Sequence, residues 1–347
     1  MMTFKLFASC VPVKGAKRYV ICDLARSEIF FIPEGVYEIL TLHKSRSIDE
    51  IKAYYEFEVN DQIDNYIEYL IKNELGFLTD EPDSFPELDL SWDHPSLITN
   101  AIIEWSNCSS YDIKGAINQL ELLGCKFLEI RYYDEVDKEK VVEMVGMFNE
   151  TKFRSINLVL KYDKSFLDWN FEMFLVGYQR VGQILIHSVP GHMQFKHAHN
   201  RVSMTTNQIL DNSCCGQINP VYFKINLPMF TESINHNSCL NRKISITRTG
   251  DIKNCPSTAS IYGNIESSLL KDIISQKEFT SIWGISKDQI STCKDCEFRY
   301  ICQDCRAFLS NPNDIFSKPL KCGYDPYTAQ WNEVNPNAKF NTKILLS

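Results

Sequence analysis

Four cysteines within one short stretch constrain this chain more than any other feature of its sequence. Residues 291–308 read STCKDCEFRYICQDCRAF, so two pairs of cysteines are each separated by two residues. A Cys-x2-Cys turn aims both sulfurs toward one point, and thiolates are soft ligands that favour zinc, copper(I) or iron–sulfur clusters. Three more cysteines flank this stretch. The seven candidate metal ligands are Cys239, Cys255, Cys293, Cys296, Cys302, Cys305 and Cys322.

The number of thiols bears on the kind of metal site. Two Cys-x2-Cys pairs are enough for one tetrahedral zinc ion. That interpretation leaves Cys239, Cys255 and Cys322 without a role. Seven thiols suit two iron–sulfur clusters better than one zinc ion. We therefore predict two clusters, with a single zinc site as the alternative.

Composition and charge narrow the class of protein. The chain has 347 residues, of which 44% are hydrophobic and 23% charged, as in ordinary globular proteins. Its net charge of −8 disfavours a general nucleic-acid or anionic-membrane binder. No apolar run approaches the roughly 20 residues of a membrane span, and the start MMTFKLFASCVPVKG lacks a secretory pattern. We expect a cytoplasmic protein, in which thirteen cysteines indicate metal or redox chemistry rather than disulfides.

The first part of the chain, residues 1–80, is predicted to be a unit of its own. YVICDLARSEIFFIP (19–33) contains two β-rich runs around a polar turn, which is typical of a hairpin. Ser47 and Glu50 match a capping box at the start of a helix. Hairpin, three helices and a closing apolar stretch predict a winged-helix-like domain. The acidic, proline-containing residues 81–96 are predicted to be a linker.

Residues 97–232 alternate between strand and helix patterns. Buried strands are predicted at LITNAIIEW, CKFLEIRYY, SINLVLKY and VGQILIHSV, with helices between them and a last strand at VYFKINL (221–227). This alternation predicts a parallel sheet, open or part of a (β/α) barrel, in an α/β fold. Residues 233–347 then form the cysteine-rich domain.

The cysteine pattern resembles the SPASM domain of radical S-adenosylmethionine enzymes that modify peptides. The order of all seven cysteines matches, and Gly250 lies five residues before Cys255, as in that family. One departure is the Cys-x2-Cys spacing of Cys302 and Cys305, where the family has Cys-x3-Cys. The resemblance implies two auxiliary [4Fe–4S] clusters. One would be held by Cys293, Cys296, Cys302 and Cys322, and the other by Cys239, Cys255, Cys305 and a fourth ligand, for which Cys214 or Cys215 is available.

The motif for a third, reactive cluster is missing. A radical S-adenosylmethionine enzyme needs Cys-x3-Cys-x2-Cys after its first barrel strand, whereas EWSNCSSYDI (104–113) contains only Cys108. The glycine-rich stretch after the second strand is replaced by IRYYDEV, in which Tyr132 and Tyr133 are bulky. The residues therefore predict a degenerate barrel in which S-adenosylmethionine binding is in doubt. We interpret Cys108 and Cys125 as small buried residues rather than ligands.

The N-terminal unit resembles the leader-peptide recognition element of ribosomal peptide maturation systems. In that family a precursor's leader adds as a strand beside the hairpin, which here makes RSEIFFIP the docking edge. With the barrel and the SPASM tail, the whole chain resembles the peptide maturase of "grasp-with-spasm" systems. This resemblance implies a precursor peptide and an ATP-grasp ligase as partners, and it leaves open whether this chain is itself an enzyme.

Two other functions remain as alternatives. The first is an active radical enzyme that crosslinks or oxidises peptide side chains. The second is a metal-sensing DNA-binding regulator, because winged helices commonly bind DNA. Residues 1–80 carry nine Lys or Arg against thirteen Asp or Glu, which opposes a phosphate-binding face.

Overall fold

The computed structural model describes residues 1–191 and 199–332 and the backbone of a short strand at 342–344. The N-terminal elements are β1 Thr3–Leu6, β2 Cys10–Lys14, β3 Tyr19–Asp23, β4 Glu28–Ile32, α1 Glu34–Thr41, α2 Ile48–Tyr54, α3 Asn60–Lys72 and β5 Gly76–Thr79. The predicted hairpin is confirmed, because β3 and β4 pair antiparallel. The capping box is also confirmed: Glu50 N donates to the Ser47 hydroxyl at 3.3 Å, and Ser47 N donates to the Glu50 carboxylate at 2.7 Å.

The middle of the chain alternates between strands and helices, as predicted. Its elements are β6 Asn100–Trp105, α4 Ile113–Leu122, β7 Phe127–Glu135, α5 Lys138–Gly146, β8 Ser155–Lys161, α6 Phe171–Gly177, β9 Val181–His187 and β10 Val202–Met204. Helix α4 ends where Gly124 takes a φ of +82°, a left-handed conformation that glycine adopts without strain.

The last third contains short elements separated by long turns. They are α7 Leu227–Asn235, β11 Lys243–Ile246, β12 Ile252–Lys253, α8 Leu270–Ile273, α9 Lys277–Thr280, β13 Tyr324–Asp325, β14 Gln330–Trp331 and β15 Thr342–Ile344. In the part of the chain that the structure describes, no helix has the length and apolar composition needed to cross a membrane.

The central sheet has seven strands in the order β10-β9-β8-β7-β6-β11-β12. Neighbouring strands run parallel except β12, which is antiparallel to β11. The predicted parallel sheet is therefore confirmed. Two of its strands, β11 and β12, come from beyond residue 232, so the cysteine-rich region contributes directly to the sheet.

One predicted strand is wrong. Residues 221–227 contain the end of a short 3-10 turn, Pro220–Tyr222, and then the start of α7. The cause is local capping: the Asn226 side chain accepts a hydrogen bond from Met229 N at 3.0 Å, with a proline in the first turn. Asparagine caps and first-turn prolines favour a helix start over a strand.

The N-terminal sheet has the order β15-β4-β3-β2. Strand β4 pairs antiparallel with β3 and, on its outer edge, parallel with β15. The stretch RSEIFFIP, predicted to be a docking edge for a peptide, therefore carries a strand of the same chain.

The two faces of this sheet are buried against different partners. Phe30 packs into the core formed with the N-terminal helices. On the opposite face, Val20 and Ile29 pack against Phe298 and Ile301 of the cysteine-rich region. The N-terminal unit thus shares a core with the loop that carries the predicted metal ligands.

Candidate metal centre

Four of the predicted ligands lie together in turns near the carboxyl end. We call Cys293, Cys296, Cys302 and Cys322 the loop group. Cys293 begins a 3-10 turn, and Cys296 N donates to Cys293 O at 3.0 Å, which folds the first Cys-x2-Cys pair back on itself. All thirteen cysteines are free thiols, so none of these sulfurs is used in a disulfide.

Charge interactions connect the members of the loop group. Burial raises the pKa of the Cys293 thiol to about 12; Lys287 opposes the shift, whereas Cys302 and Cys322 add to it. Burial also raises the pKa of Cys302, and Cys322 again adds to the shift. For Cys296, burial raises the pKa, and Cys302 is among the charges that increase it. These interactions link Cys302 with Cys293 and Cys296, and link Cys322 with Cys293 and Cys302.

A second set of thiols forms beside the central sheet. We call Cys215, Cys239, Cys255 and Cys305 the sheet group. Burial raises the pKa of Cys255 to about 11, with further contributions from Cys239 and Cys215. Burial raises the pKa of Cys305, and Cys239 adds to that shift. These are the three cysteines that the resemblance implies for the other cluster, together with one of the two fourth-ligand candidates.

The structure distinguishes the two fourth-ligand candidates. Cys214 is exposed, whereas Cys215 is partly buried and acts on Cys255. A hydrogen bond from Cys214, together with the charge of Arg131, lowers the pKa of Cys215 to about 6. Gly216, with a φ of +77°, lets the backbone approach Cys305: a Cβ at this position would lie 2.9 Å from the Cys305 sulfur. Cys215 therefore has the better placement for a ligand.

Each group has a lysine beside it that the sequence analysis did not single out. Lys287 is buried, with 3% of its surface exposed, and its Nζ donates to Gln303 O at 3.1 Å. Burial lowers the pKa of Lys287, but Cys302 and Cys293 more than reverse that effect. Lys243, on β11, is half-buried, and its Nζ reaches the Cys239 sulfur at 3.6 Å. No spacing rule reveals these lysines, because only the fold brings them to the thiols.

Buried carboxylates near the groups already have partners. Asp304 forms an ion pair with Arg306 at 2.7 Å, and both side chains are fully buried. Asn237 donates to the other Asp304 oxygen at 2.7 Å, while its own Oδ1 accepts from Cys239 N at 3.1 Å. Asn237 therefore connects the turn of Cys239 to the segment between Cys302 and Cys305. This hydrogen-bonded bridge connects a segment of the loop group with a segment of the sheet group.

The sulfurs do not converge on single points in this structure. Within residues 1–191 and 199–332, no group of three or more histidine, cysteine, aspartate or glutamate side chains is arranged to hold a metal ion. The donor set itself fits iron–sulfur or zinc chemistry, since it consists of soft thiols with cations nearby. Because most of these thiols have raised pKa values, metal binding would release protons from them.

The carboxyl ends of β6 and β7 are closed by side-chain hydrogen bonds. Tyr132 donates to the Asn107 side chain at 3.0 Å, and Asn107 N donates to Asp134 at 3.1 Å. Tyr133 donates to the Asn212 side chain at 2.7 Å, and Asn212 donates to Glu104. In parallel α/β sheets this edge is the usual ligand site, but here protein groups tie it together.

The interpretation of the two remaining central cysteines is half right. Cys125 is buried, as expected for a small apolar residue. Cys108 is exposed, because it lies in the turn after β6, where its sulfur is 3.3 Å from the Ser106 hydroxyl. The prediction that Cys108 is buried is therefore wrong.

Comparison with known proteins does not identify a family for this chain. No protein-family model matches the chain, and no curated protein matches it. One similar solved structure is that of Streptococcus suis SuiB bound to precursor peptide SuiA, with 11% sequence identity. The match covers 88% of this chain and 96% of that chain, with a TM-score of 0.27. At that identity and TM-score the likeness carries no conclusion about this chain.

Proposed function

We propose that this chain is an iron–sulfur protein of ribosomal peptide maturation. It binds the leader of a precursor peptide and takes part in that peptide's modification alongside an ATP-grasp ligase. The proposal rests on the order of the seven cysteines, which resembles a SPASM domain, and on two lysines, Lys287 and Lys243, that lie beside some of these thiols.

The observation that carries the proposal is the buried ammonium group of Lys287, which interacts with the thiols of Cys302 and Cys293. Lys287 has no ion pair with a carboxylate among the residues that the structure describes. The nearest buried carboxylate, Asp304, already pairs with Arg306. Burying an uncompensated charge is strongly unfavourable. Thiolates held by a metal centre in the loop group supply the negative charge that Lys287 requires.

The two groups divide the ligands between two [4Fe–4S] clusters. Cys293, Cys296, Cys302 and Cys322 hold one cluster. The sheet group holds the other, with Cys215 as its fourth ligand. When bound, such clusters transfer single electrons or keep the surrounding loops folded. The chain's own contribution is to bury them and to place a cation next to each.

Metal analysis after anaerobic purification tests this proposal. We expect about eight iron and about eight sulfide per chain, the content of two [4Fe–4S] clusters. Electron paramagnetic resonance of the reduced protein should show cluster signals. Zinc without iron or sulfide would contradict the proposal and would favour the metal-sensing regulator.

Peptide binding is assigned to the N-terminal sheet. Strand β4 is the outermost of the antiparallel strands, and its outer side, which β15 covers in this structure, is where an extended peptide would add by backbone hydrogen bonds. The same strand contacts the loop group's segment, since the Phe31 and Phe298 rings are 6.1 Å apart in an edge-on arrangement. The strand with which a docked peptide would pair therefore contacts the segment that carries the loop group. Mass spectrometry of a precursor co-expressed with and without this chain should show a modification only when the chain is present.

The closed edge of β6 and β7 supports a role without radical chemistry. Asn107, Tyr132 and Asn212 occupy it with mutual contacts rather than a cysteine triad. We expect no 5′-deoxyadenosine when the reconstituted protein is incubated with S-adenosylmethionine and dithionite. Release of 5′-deoxyadenosine, measured by chromatography, would instead establish the alternative of an active radical enzyme.

A further inference from the structure

The outer edge of β4 is not vacant. Strand β15 pairs with it in parallel, with Thr342 opposite Ile29, Lys343 opposite Phe30 and Ile344 opposite Phe31. The chain therefore extends its own N-terminal sheet with a strand from its carboxyl end. A sheet edge that lacks a neighbour exposes backbone donors and acceptors and is a ready template for another strand.

We propose that the strand at 342–344 is an intrachain occupant of the peptide-docking edge, which a precursor leader must displace. This inference rests on the proposed function for the identity of the peptide. It adds a self-inhibiting contact: the tail and the leader compete for the same backbone groups of β4.

The dimensions of the two strands favour exchange. β15 has three residues, whereas β4 has five. A peptide that pairs along all of β4 forms more backbone hydrogen bonds than the tail does. The tail has the advantage of being tethered, which gives it a high effective concentration at the edge. A short tethered strand can therefore cover the edge at rest and still yield to a longer peptide.

The position of β4 makes this competition relevant to the metal site. The Arg18 guanidinium lies 4.4 Å from the Phe31 ring and donates to Glu297 at 2.8 Å. Glu297 follows Cys296 in the loop group. The strand that the tail covers is thus one side chain away from the loop group.

A labelled copy of the tail is the probe, because it needs no knowledge of the precursor. We would synthesise residues 333–347 with a fluorescent label and measure anisotropy with two proteins, the full chain and a form that ends at Asn332. The truncated form should bind the peptide about tenfold more tightly, since an edge occupied nine-tenths of the time reduces apparent affinity by that factor. Equal affinity for the two proteins, or no binding to the truncated form, would overturn the inference.

Proline substitutions provide matched controls. Successive residues of a strand direct their backbone N–H groups to opposite sides. Replacing two adjacent residues of β15 with proline therefore removes one N–H group that faces β4. A probe with Thr342→Pro and Lys343→Pro should lose its affinity for the truncated form. The same two substitutions in the full chain should open the edge as truncation does, which protects the test from a folding defect caused by truncation. Unchanged binding in both cases would contradict the strand pairing.

The outcomes separate this inference from the proposed function. Peptide binding at β4 does not require iron, and metal analysis does not require the tail. If the labelled tail binds but the protein contains no iron, the self-occupied edge stands and the cluster assignment fails. If iron is present but the tail does not bind, the inference about the edge fails alone.

Discussion

The loop group and the sheet group contain the same number of thiols but are built in different ways. Three members of the loop group come from one continuous turn-rich segment, residues 293–302. The sheet group draws its thiols from four places in the sequence, and two of them, Cys239 and Cys255, flank the strands β11 and β12 of the central sheet. Closing long loops costs conformational entropy, so the sheet group depends on the surrounding fold more than the loop group does.

The two groups also have different neighbours. The loop group packs on the N-terminal sheet through Phe298 and has the buried cation Lys287 beside it. The sheet group contacts the central sheet through Lys243 on β11 and Arg131 on β7. One group is therefore tied to the predicted peptide-binding unit, and the other to the central sheet. We expect changes in one group to leave the other largely intact.

The largest expected effect is loss of one cluster at a time. Cys302→Ala should remove the loop-group cluster and Cys255→Ala the sheet-group cluster, because each replaces a thiolate that a cluster requires. In each variant the iron content should fall by about half. Cys108→Ser is the matched control, since Cys108 is exposed and belongs to neither group. Complete loss of iron from either single variant would show that the groups are not independent.

A smaller loss is expected at the fourth ligand of the sheet group. Cys215→Ser should weaken that cluster, because Cys215 acts on Cys255 and is partly buried. Cys214→Ser should keep the full iron content, since Cys214 is exposed. Iron analysis and electron paramagnetic resonance on both variants check this difference. Equal losses in the two variants would mean that the adjacent cysteines act as a pair.

The sequence predicted the local parts of this site better than the distant ones. The turn of the first Cys-x2-Cys pair, Cys293 and Cys296, and the capping box at Ser47 depend on neighbouring residues, and both are visible as patterns. The choice of Cys215 over Cys214 and the position of Lys287 depend on tertiary packing, which no spacing rule encodes. The strand predicted at 221–227 failed for a related reason: its apolar alternation was outweighed by the cap at Asn226.

The two lysines, Lys287 and Lys243, should affect the reduction potentials of their respective clusters to different extents. Lys287→Met should shift the loop-group potential downward by about 60 mV, a tenfold change in the one-electron equilibrium, because removing a positive charge disfavours the reduced cluster. Lys243→Met should shift the sheet-group potential in the same direction but less, since Lys243 is only half-buried. Redox titration followed by electron paramagnetic resonance measures both values.

Two further variants control for charge and position. Lys287→Arg keeps the positive charge, so the reduction potential of the loop-group cluster should stay close to that of the unsubstituted protein. Lys294→Met removes an exposed lysine between Cys293 and Cys296 and should change the potential little, because solvent screens it. If Lys294→Met shifts the potential as much as Lys287→Met does, burial of the cation is not what distinguishes the loop group.

The smallest expected effect is on the contact between the N-terminal sheet and the loop group. Arg18 donates to Glu297 and to the Tyr324 hydroxyl, each at 2.8 Å, and Glu297 is buried with 1% exposure. Arg18→Met should lower the free energy of unfolding by about 2 kcal/mol, because it leaves a buried carboxylate without its cation. The double variant Arg18→Met with Glu297→Gln should recover part of that loss, since no charge then remains unpaired. Urea denaturation of the three proteins measures these differences. Because this contact involves only the segment of the loop group, the electron paramagnetic resonance signal of the sheet-group cluster should be unchanged in all three proteins. A parallel change in the signals of both clusters would show that Asn237 couples the two groups more strongly than their separate surroundings indicate.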